Sequence, residues 1–568
     1  MKKTTIYIYA LLVCSAISCT KNFSTLNKNP AQFTSPDAES IFTGAVMNTT
    51  NKLETNNFNW LWEYGHLIEP GGQRYNVGDD GTWNTMFINV LGNIRQLKNL
   101  YQNNPAFSNR VAIADIWECY VYAYLVGTYG PIPYSQAGVT TSPVVNYDDE
   151  NTVYTSLLSR LKADAAAIKT TGDVLNPDIV YGGNLTQWIK FANSLRLRLA
   201  LRVQQNLPAL AASNITELMA NENMLLTSDA DDPKVTYALQ TGSQSPYYIQ
   251  YVQNTVGAGS VPVMSDYVFT YFRSYSDPRI DAYFVKAATP YNITDTLTST
   301  ADSKHYIVTY PIPHLGAPKS TTVLSQWSLT TQPFQGATYP VNYSTLPPAL
   351  TAANRPFYLM TYAEVCFMKS EAAALGYSGT QTADTYYYAG INANFAFWGL
   401  TAAQATAYEA QNGIKWNTAG HGFNYDLGFI NTSIPNNNLN RIWIQEWLNY
   451  FDDGGFDAWA LQRRTQNLNL PPHTNPGTPN LSSQVLGLPD RWPYPNTETS
   501  INPVGNQSGV KELGGLDYAN TELKIEPPYT PPNYLTWHAF IDYSFVEKWY
   551  GTTIQSLTAA GVKYTVVS

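Results

Sequence analysis

"FYLMTYAEVCFMKSEAAALGY", residues 357–377, followed by "TADTYYYAGINANFAFWGL", residues 382–400, is the stretch whose reading decides the fold. The first segment reads as an apolar helix running to Gly376, a residue suited to the left-handed turn that closes a helix. The second reads as another helix, ending at Gly399. A helix, a short polar turn and a second helix, with small residues where the two cross, make one repeat-like unit.

The same pattern recurs outward from that pair. "VAIADIWECYVYAYLVGTYG", residues 111–130, sets Ile113, Ile116, Tyr120 and Ala123 at helical spacing, with a stop predicted at Gly127 and the turn "YGPIPY". "TQWIKFANSLRLRLALRV", residues 186–203, takes Thr186 as its N-cap. Trp188, Phe191, Leu195 and Leu199 form its apolar stripe, flanked by Arg196, Arg198 and Arg202. "LNRIWIQEWLNYFDDGGFDAWALQRRT", residues 439–465, adds an amphipathic helix with a sharp break at Gly454-Gly455. No strict 34-residue period is present, so the expectation is tetratricopeptide-like helix pairs rather than a regular array. Between them, residues 51–90, 235–350 and 465–540 are rich in Pro, Gly, Asn, Trp and Tyr. Irregular stretches of that length tend to carry function. The predicted fold class is mostly α, a helical scaffold supporting a loop-rich, irregular ligand-binding face. No Gly/Ser linker or charge run marks a boundary within residues 19–568, whose length allows two or three ordinary domains or one large one.

The chain begins "MKKTTIYIYALLVCSAISCT". Two lysines, a short apolar run from Ile6 to Val13, and small residues ahead of Cys19 have the layout of a signal peptide, assigned to residues 1–18. The run is too short to span a membrane, which takes roughly 20 apolar residues. Ala16-Ile17-Ser18-Cys19 is similar to a bacterial lipobox, which makes Cys19 the predicted lipidation site. The alternative is an ordinary signal peptide with an incidental cysteine. Cys14 is the poorer candidate, because cleavage there would cut into the apolar run.

The formal charge of −9 disfavours nucleic acid or anionic lipid as partner. Charged residues are 13% of the chain, about half the usual share, and the 42 tyrosines with many Asn, Thr, Ser and Gln suit neutral, hydroxylated ligands. No cofactor is expected: the chain has no Walker loop, dinucleotide fingerprint, H-E-x-x-H or G-x-S-x-G motif. "DDGGFD" has the oxygen density of a calcium loop without its spacing. Cys119 and Cys366, each in an apolar helical pattern, are predicted to be buried free thiols. A glycosidase needs two placed carboxylates, and Asp79-Asp80 and Asp452-Asp453 are adjacent pairs whose side chains do not share a face. They are expected as solvated loop carboxylates. Glu364 and Glu371, seven residues apart on one helix face, are expected to pair with arginines. The reading is therefore of a binding protein and not an enzyme, with a hydrolase kept as an alternative.

Seven segments, in order, resemble the SusD/RagB family of outer-membrane nutrient-binding lipoproteins. They are "LNKNP" (26–30), "GTYGPIPYSQA" (127–137), "WIKFANSLRLRLALRV" (188–203), "DPRIDAYF" (277–284), "TYAEVCFMKSEAAALG" (361–376), "IQEWLNYFDDGGFDAWALQRRT" (444–465) and "RWPYPNTETSIN" (491–502). The resemblance covers residues 19 to about 505. It departs from the family at Thr20-Lys21-Asn22-Phe23, where acidic residues often follow the lipidated cysteine, and from about Tyr518 to Ser568 nothing matches. The resemblance implies a SusD-like α/α superhelical fold, lipid-anchored at the outer membrane and facing the cell surface. It implies a SusC-like TonB-dependent transporter as partner, and oligosaccharide, or in some branches peptide, as cargo.

A sugar ring offers an apolar face and a hydroxyl rim, so its site wants exposed aromatic rings beside planar polar groups. "NWLWEYGHLIEPGGQRYNVGDDGTWNT", residues 59–85, supplies them densely. Trp60, Trp62, Arg74 and Tyr75 are the candidate ligand-binding residues, with Trp327 from a distant segment. Trp60 and Trp62 suit core or binding face equally, and Trp83, ahead of an apolar run, suits the core. Tyr247, Tyr248 and Asn254 form a further tier.

Overall fold

Helices succeed one another along most of the chain, each burying its apolar stripe against the next. The computed structural model describes residues 38–68, 80–139, 144–253, most of 264–286, 290–298, 305–316, 322–323, 338–339, 346–418, 437–468, 489–519, 521–527 and 563–566. The first helix, α1 (Ala38–Asn56), continues through a π-helical turn, Asn57–Leu61, into Trp62–Tyr64. It packs on a second rod made of Asp80–Asn84, a π-helical stretch Thr85–Leu91 and α2 (Gly92–Tyr101). Next, α3 (Ser108–Tyr129) pairs with α4 (Glu150–Ala167), and α5 (Leu185–Arg202) with α6 (Pro208–Met219). The fourth pair is α7 (Tyr362–Ala374) with α8 (Ala383–Phe397), followed by α9 (Ala402–Glu409). Then come α10 (Asn438–Asn449), α11 (Gly455–Thr465) and α12 (Pro503–Glu512). The architecture is mostly α and built on tetratricopeptide-like pairs, as expected.

Local chemistry explains the pairs. Thr361 caps α7 by accepting from the Glu364 amide, and Gly376, at φ +97°, turns the chain out of the helix. At the crossing of α7 and α8 a small residue is required: a Cβ on Gly390 would lie 2.5 Å from the Phe367 ring. Two boundaries differ from expectation. Asn184, not Thr186, caps α5, its side chain accepting from Gln187 N. The third helix runs past Gly127 to Tyr129, because Gly130 is the residue that takes a positive φ. Gly127 serves packing instead, since a Cβ there would lie 2.8 Å from Phe456.

Strands are few. β1 (Ile132–Pro133) pairs with β2 (Tyr147–Asp148), and β3 (Lys234–Thr236) pairs antiparallel with β8 (Pro356–Tyr358). β4 (Pro290–Thr298) and β5 (His305–Gly316) form a long antiparallel hairpin, to which β9 (Lys563–Val566) adds a third strand. The two-residue strands β6 (Thr322–Val323) and β7 (Thr338–Tyr339) pair with each other. The expectation of irregular structure over 51–90 and 235–350 is corrected here, since the first holds two helical rods and the second a hairpin. Aromatic-rich sequence concealed their periodicity.

The arginines expected to flank the α5 stripe are themselves buried. Arg198 bonds both oxygens of Glu364 at 2.6 and 2.7 Å, and Arg202 bonds Asp457 at 2.8 Å. Arg464 holds both oxygens of Glu371 at 2.6 and 2.7 Å. Glu364 and Glu371 thus pair with arginines as predicted. Asp452 and Asp453 correct the expectation of solvated carboxylates: both are buried against Arg355, which also bonds Glu54 at 3.0 Å. Cys119 and Cys366 are buried and free. Among the described residues no helix is long and apolar enough to cross a membrane.

In other buried carboxyls burial outweighs the nearby cations. Burial, with Asp229 nearby, pushes Asp232 up to about 8, and burial pushes Glu446 up to about 8 despite Arg464 at 3.8 Å. The folded protein therefore keeps protons on these two groups that the unfolded chain releases near pH 4, so their contribution to stability is fully present below that point and is lost as pH rises through about 8. Melting temperature should be lower at about pH 8.5 than at about pH 5. Asp232→Asn, which removes one titration, should shrink the difference; an equal or larger difference in the variant counts against the assignment.

Candidate functional site

The π-helical turn Asn57–Leu61 aims its aromatic residues to two sides. Trp60 is half-buried, its ring edge-on to Trp492 at 5.5 Å and 79°. Trp492 comes from the "RWPYP" strip and is buried, with an indole N–H that has no hydrogen-bond partner among the described residues. Behind it lies Tyr129, whose ring centroid is 6.0 Å away. Phe58, two residues before Trp60, meets Tyr247 and Tyr251, each at 5.6 Å and edge-on. Tyr251 belongs to a second π-helical turn, Ile249–Gln253, and Phe58 and Tyr251 are both half-buried. Such turns are frequent at functional sites because the extra residue re-aims side chains.

Trp62 is corrected from binding candidate to core. Its side chain is 0% exposed. It stacks on Phe451 at 6.0 Å and 7°, leans on Tyr247 at 4.9 Å, and donates its indole N–H to Asp452 O at 2.8 Å. Neither ring face is open to a ligand. Gly455 makes this fit possible, since a Cβ there would stand 2.9 Å from Trp62 Cδ1. Tyr247 is likewise fully buried, whereas Tyr248 is half-buried. Trp83 is buried as expected, between Phe87 and Tyr129. Arg74, Tyr75, Asn254 and Trp327 lie outside the described residues. Ile68 pairs with Met264 in an antiparallel bridge. Phe58 and Tyr251 escaped the sequence reading, although "NNFNWLW" carries Phe58 two residues from Trp60.

The described residues also enclose a polar cavity between α3, α5 and α11, lined by Tyr120, Arg198, Arg202, Asp453 and Asp457. At about 30 Å³ it has room for a water or two and not for a sugar ring. The carboxylates around it are held by arginines and serve the scaffold. Asp80, of the other adjacent pair, is half-buried and accepts from the Thr497 hydroxyl at 2.9 Å.

Helix pairs with half-buried aromatic rings on their π-helical turns define the class, a tetratricopeptide-like helical scaffold. A family model described as SusD-like, starch-binding and associating with the outer membrane matches residues 28–495, so the chain belongs to the SusD-like family. Among solved structures it is similar to a chitin-binding protein at 21% identity and TM-score 0.63, covering 86% of this chain and 100% of that one. It is also similar to a chitin-binding SusD homologue from Flavobacterium johnsoniae, at 21% identity and TM-score 0.61, covering 87% and 99%. A SusD homologue from Bacteroides vulgatus matches at 20% identity and TM-score 0.63, covering 88% and 100%. At these identities the likeness shows a shared fold. No curated protein matches the sequence.

The two tryptophans should separate by measurement. Trp62→Ala removes a packed core ring and should cost about 3–5 kcal/mol of folding stability. Trp60→Ala, at a half-buried position, should cost clearly less in urea denaturation; an equal loss would place Trp60 in the core as well.

Proposed function

We propose that this protein captures oligosaccharides at the outer membrane for import by a SusC-like TonB-dependent transporter, without catalysing a reaction on them. The observation that carries the reading is Trp60, a half-buried ring braced edge-on by Trp492 on a π-helical turn. A braced indole offers an apolar surface for a sugar ring with little ordering cost on binding. Membership of a starch-binding family, and likeness to two chitin-binding structures, support glycan as the ligand class. Arg74, Tyr75 and Trp327 are proposed as further contacts, with Arg74 donating paired hydrogen bonds to hydroxyls. The protein is proposed to be held on the cell surface by acyl chains on Cys19.

Binding of the purified protein to starch, chitin oligosaccharides and mixed peptides tests the reading. A glycan should bind, and Trp60→Ala should weaken it by about five- to a hundredfold at little change in melting temperature, as expected for losing about 1–3 kcal/mol of ring contact. Binding of peptides alone, or release of reducing sugar from a polysaccharide, would replace this reading. Metabolic labelling with a fatty-acid analogue checks the anchor: Cys19→Ala should lose the label, and labelling as strong as in the parent would show that another residue is acylated.

A further inference from the structure

Away from the aromatic face, Asp115 and Cys119 stand one turn apart on α3, and Asp164 of α4 meets them. A carboxylate oxygen from each aspartate and the Cys119 Sγ all lie within 4.8 Å of one another. Cys119 is 0% exposed and forms no disulfide among the described residues. Asp164 Oδ2 is also buried without a partner. Lys98 bonds both Asp115 and Glu118, and so does Arg160, whose Nε and Nη2 reach Asp115 at 2.9 and 2.7 Å. Three carboxylates, Asp115, Glu118 and Asp164, therefore face two cationic side chains. One negative charge is uncompensated in a poorly solvated place, which is costly unless a proton or a cation supplies the balance.

We propose that Asp115, Cys119 and Asp164 form a binding site for a thiophilic divalent cation of the Zn²⁺ class. The donor set decides the class. A thiolate with two carboxylates suits Zn²⁺, whereas Ca²⁺ and Mg²⁺ require six or more oxygens, or a near-octahedral set of them. Charge balances as well. When Asp164 and Cys119 give up their protons to solvent, four negative groups face Lys98, Arg160 and one divalent ion. Arg160 then supports the site from behind, its hydrogen bonds fixing the Asp115 carboxylate as outer-shell partners of metal-bound carboxylates do. Asp164 is half-buried, so the cluster lies near the edge of the helix pair. The ion would pin α3 to α4, the second helix pair.

The test uses the full chain carrying Cys14→Ser and Cys19→Ser, so that Cys119 and Cys366 are its remaining thiols. It is titrated with Cd²⁺ as an optical probe for Zn²⁺. One equivalent of Cd²⁺ should produce a thiolate-to-cadmium charge-transfer band in the ultraviolet, and Zn²⁺ should displace it. The band should persist in Cys366→Ser, vanish in Cys119→Ser, and require at least about tenfold more Cd²⁺ in Asp164→Asn. No band in the parent chain, a band surviving Cys119→Ser, or an unchanged titration in Asp164→Asn would each overturn the site.

Discussion

Arg198 is the residue around which the scaffold closes. Its guanidinium leaves α5, takes both oxygens of Glu364 on α7 and the carbonyl of Leu359, and stands 3.4 Å from Asp457 on α11. Three elements far apart in sequence meet at one buried cation. Burial alone disfavours the charge, but the surrounding carboxylates outweigh it and hold the guanidinium firmly protonated. Such a site is not a simple gain in stability, because desolvation offsets most of the attraction. What it enforces is register. A planar fork accepts one arrangement of carboxylates, and a helix displaced by one turn would leave a buried charge without its partner.

The same device recurs around it. The Tyr450 hydroxyl bridges Glu364 at 3.1 Å and Glu446 at 2.8 Å, and Arg464 holds Glu371 on the next turns of α7 and α11. Arg279 holds Asp277, Asn394 and Gln445, which joins the segment before the hairpin to α8 and α10. Arg355 gathers Glu54 from α1 with Asp452 and Asp453 from the α10–α11 corner. That last cluster reaches the turn that carries Trp60. It fixes the corner whose Asp452 carbonyl accepts from Trp62, and Trp62 anchors the π-helical turn that carries Trp60. The position of Trp60 thus depends on charge buried beneath it. A chain with an unusually small share of charged residues places many of them in its interior.

Arg198, Arg279, Glu364, Glu371, Glu446, Asp457, Arg464 and Arg491 all fall inside the segments that are similar to SusD-like proteins. Arg491, for example, takes the carbonyl of Tyr129 at 3.0 Å and so ties the "RWPYP" strip to the end of α3. In this chain those segments clamp the helices to one another.

The sequence by itself determined the helix pairs, because helical periodicity and a C-terminal Gly376 are local signals. It also determined the pairing of Glu364 and Glu371 with arginines, since both project from one face of an apolar helix and need partners. The rest was decided by tertiary structure. Trp60 and Trp62 are indistinguishable along the chain, and only the approach of Gly455 and Phe451 makes one of them core. Asp452 and Asp453 read as solvated in a Gly-rich turn, and only Arg355, about a hundred residues away, buries them. Local patterns report propensity and periodicity, which act over a few residues. Burial and charge pairing are set by what the fold brings from far along the chain.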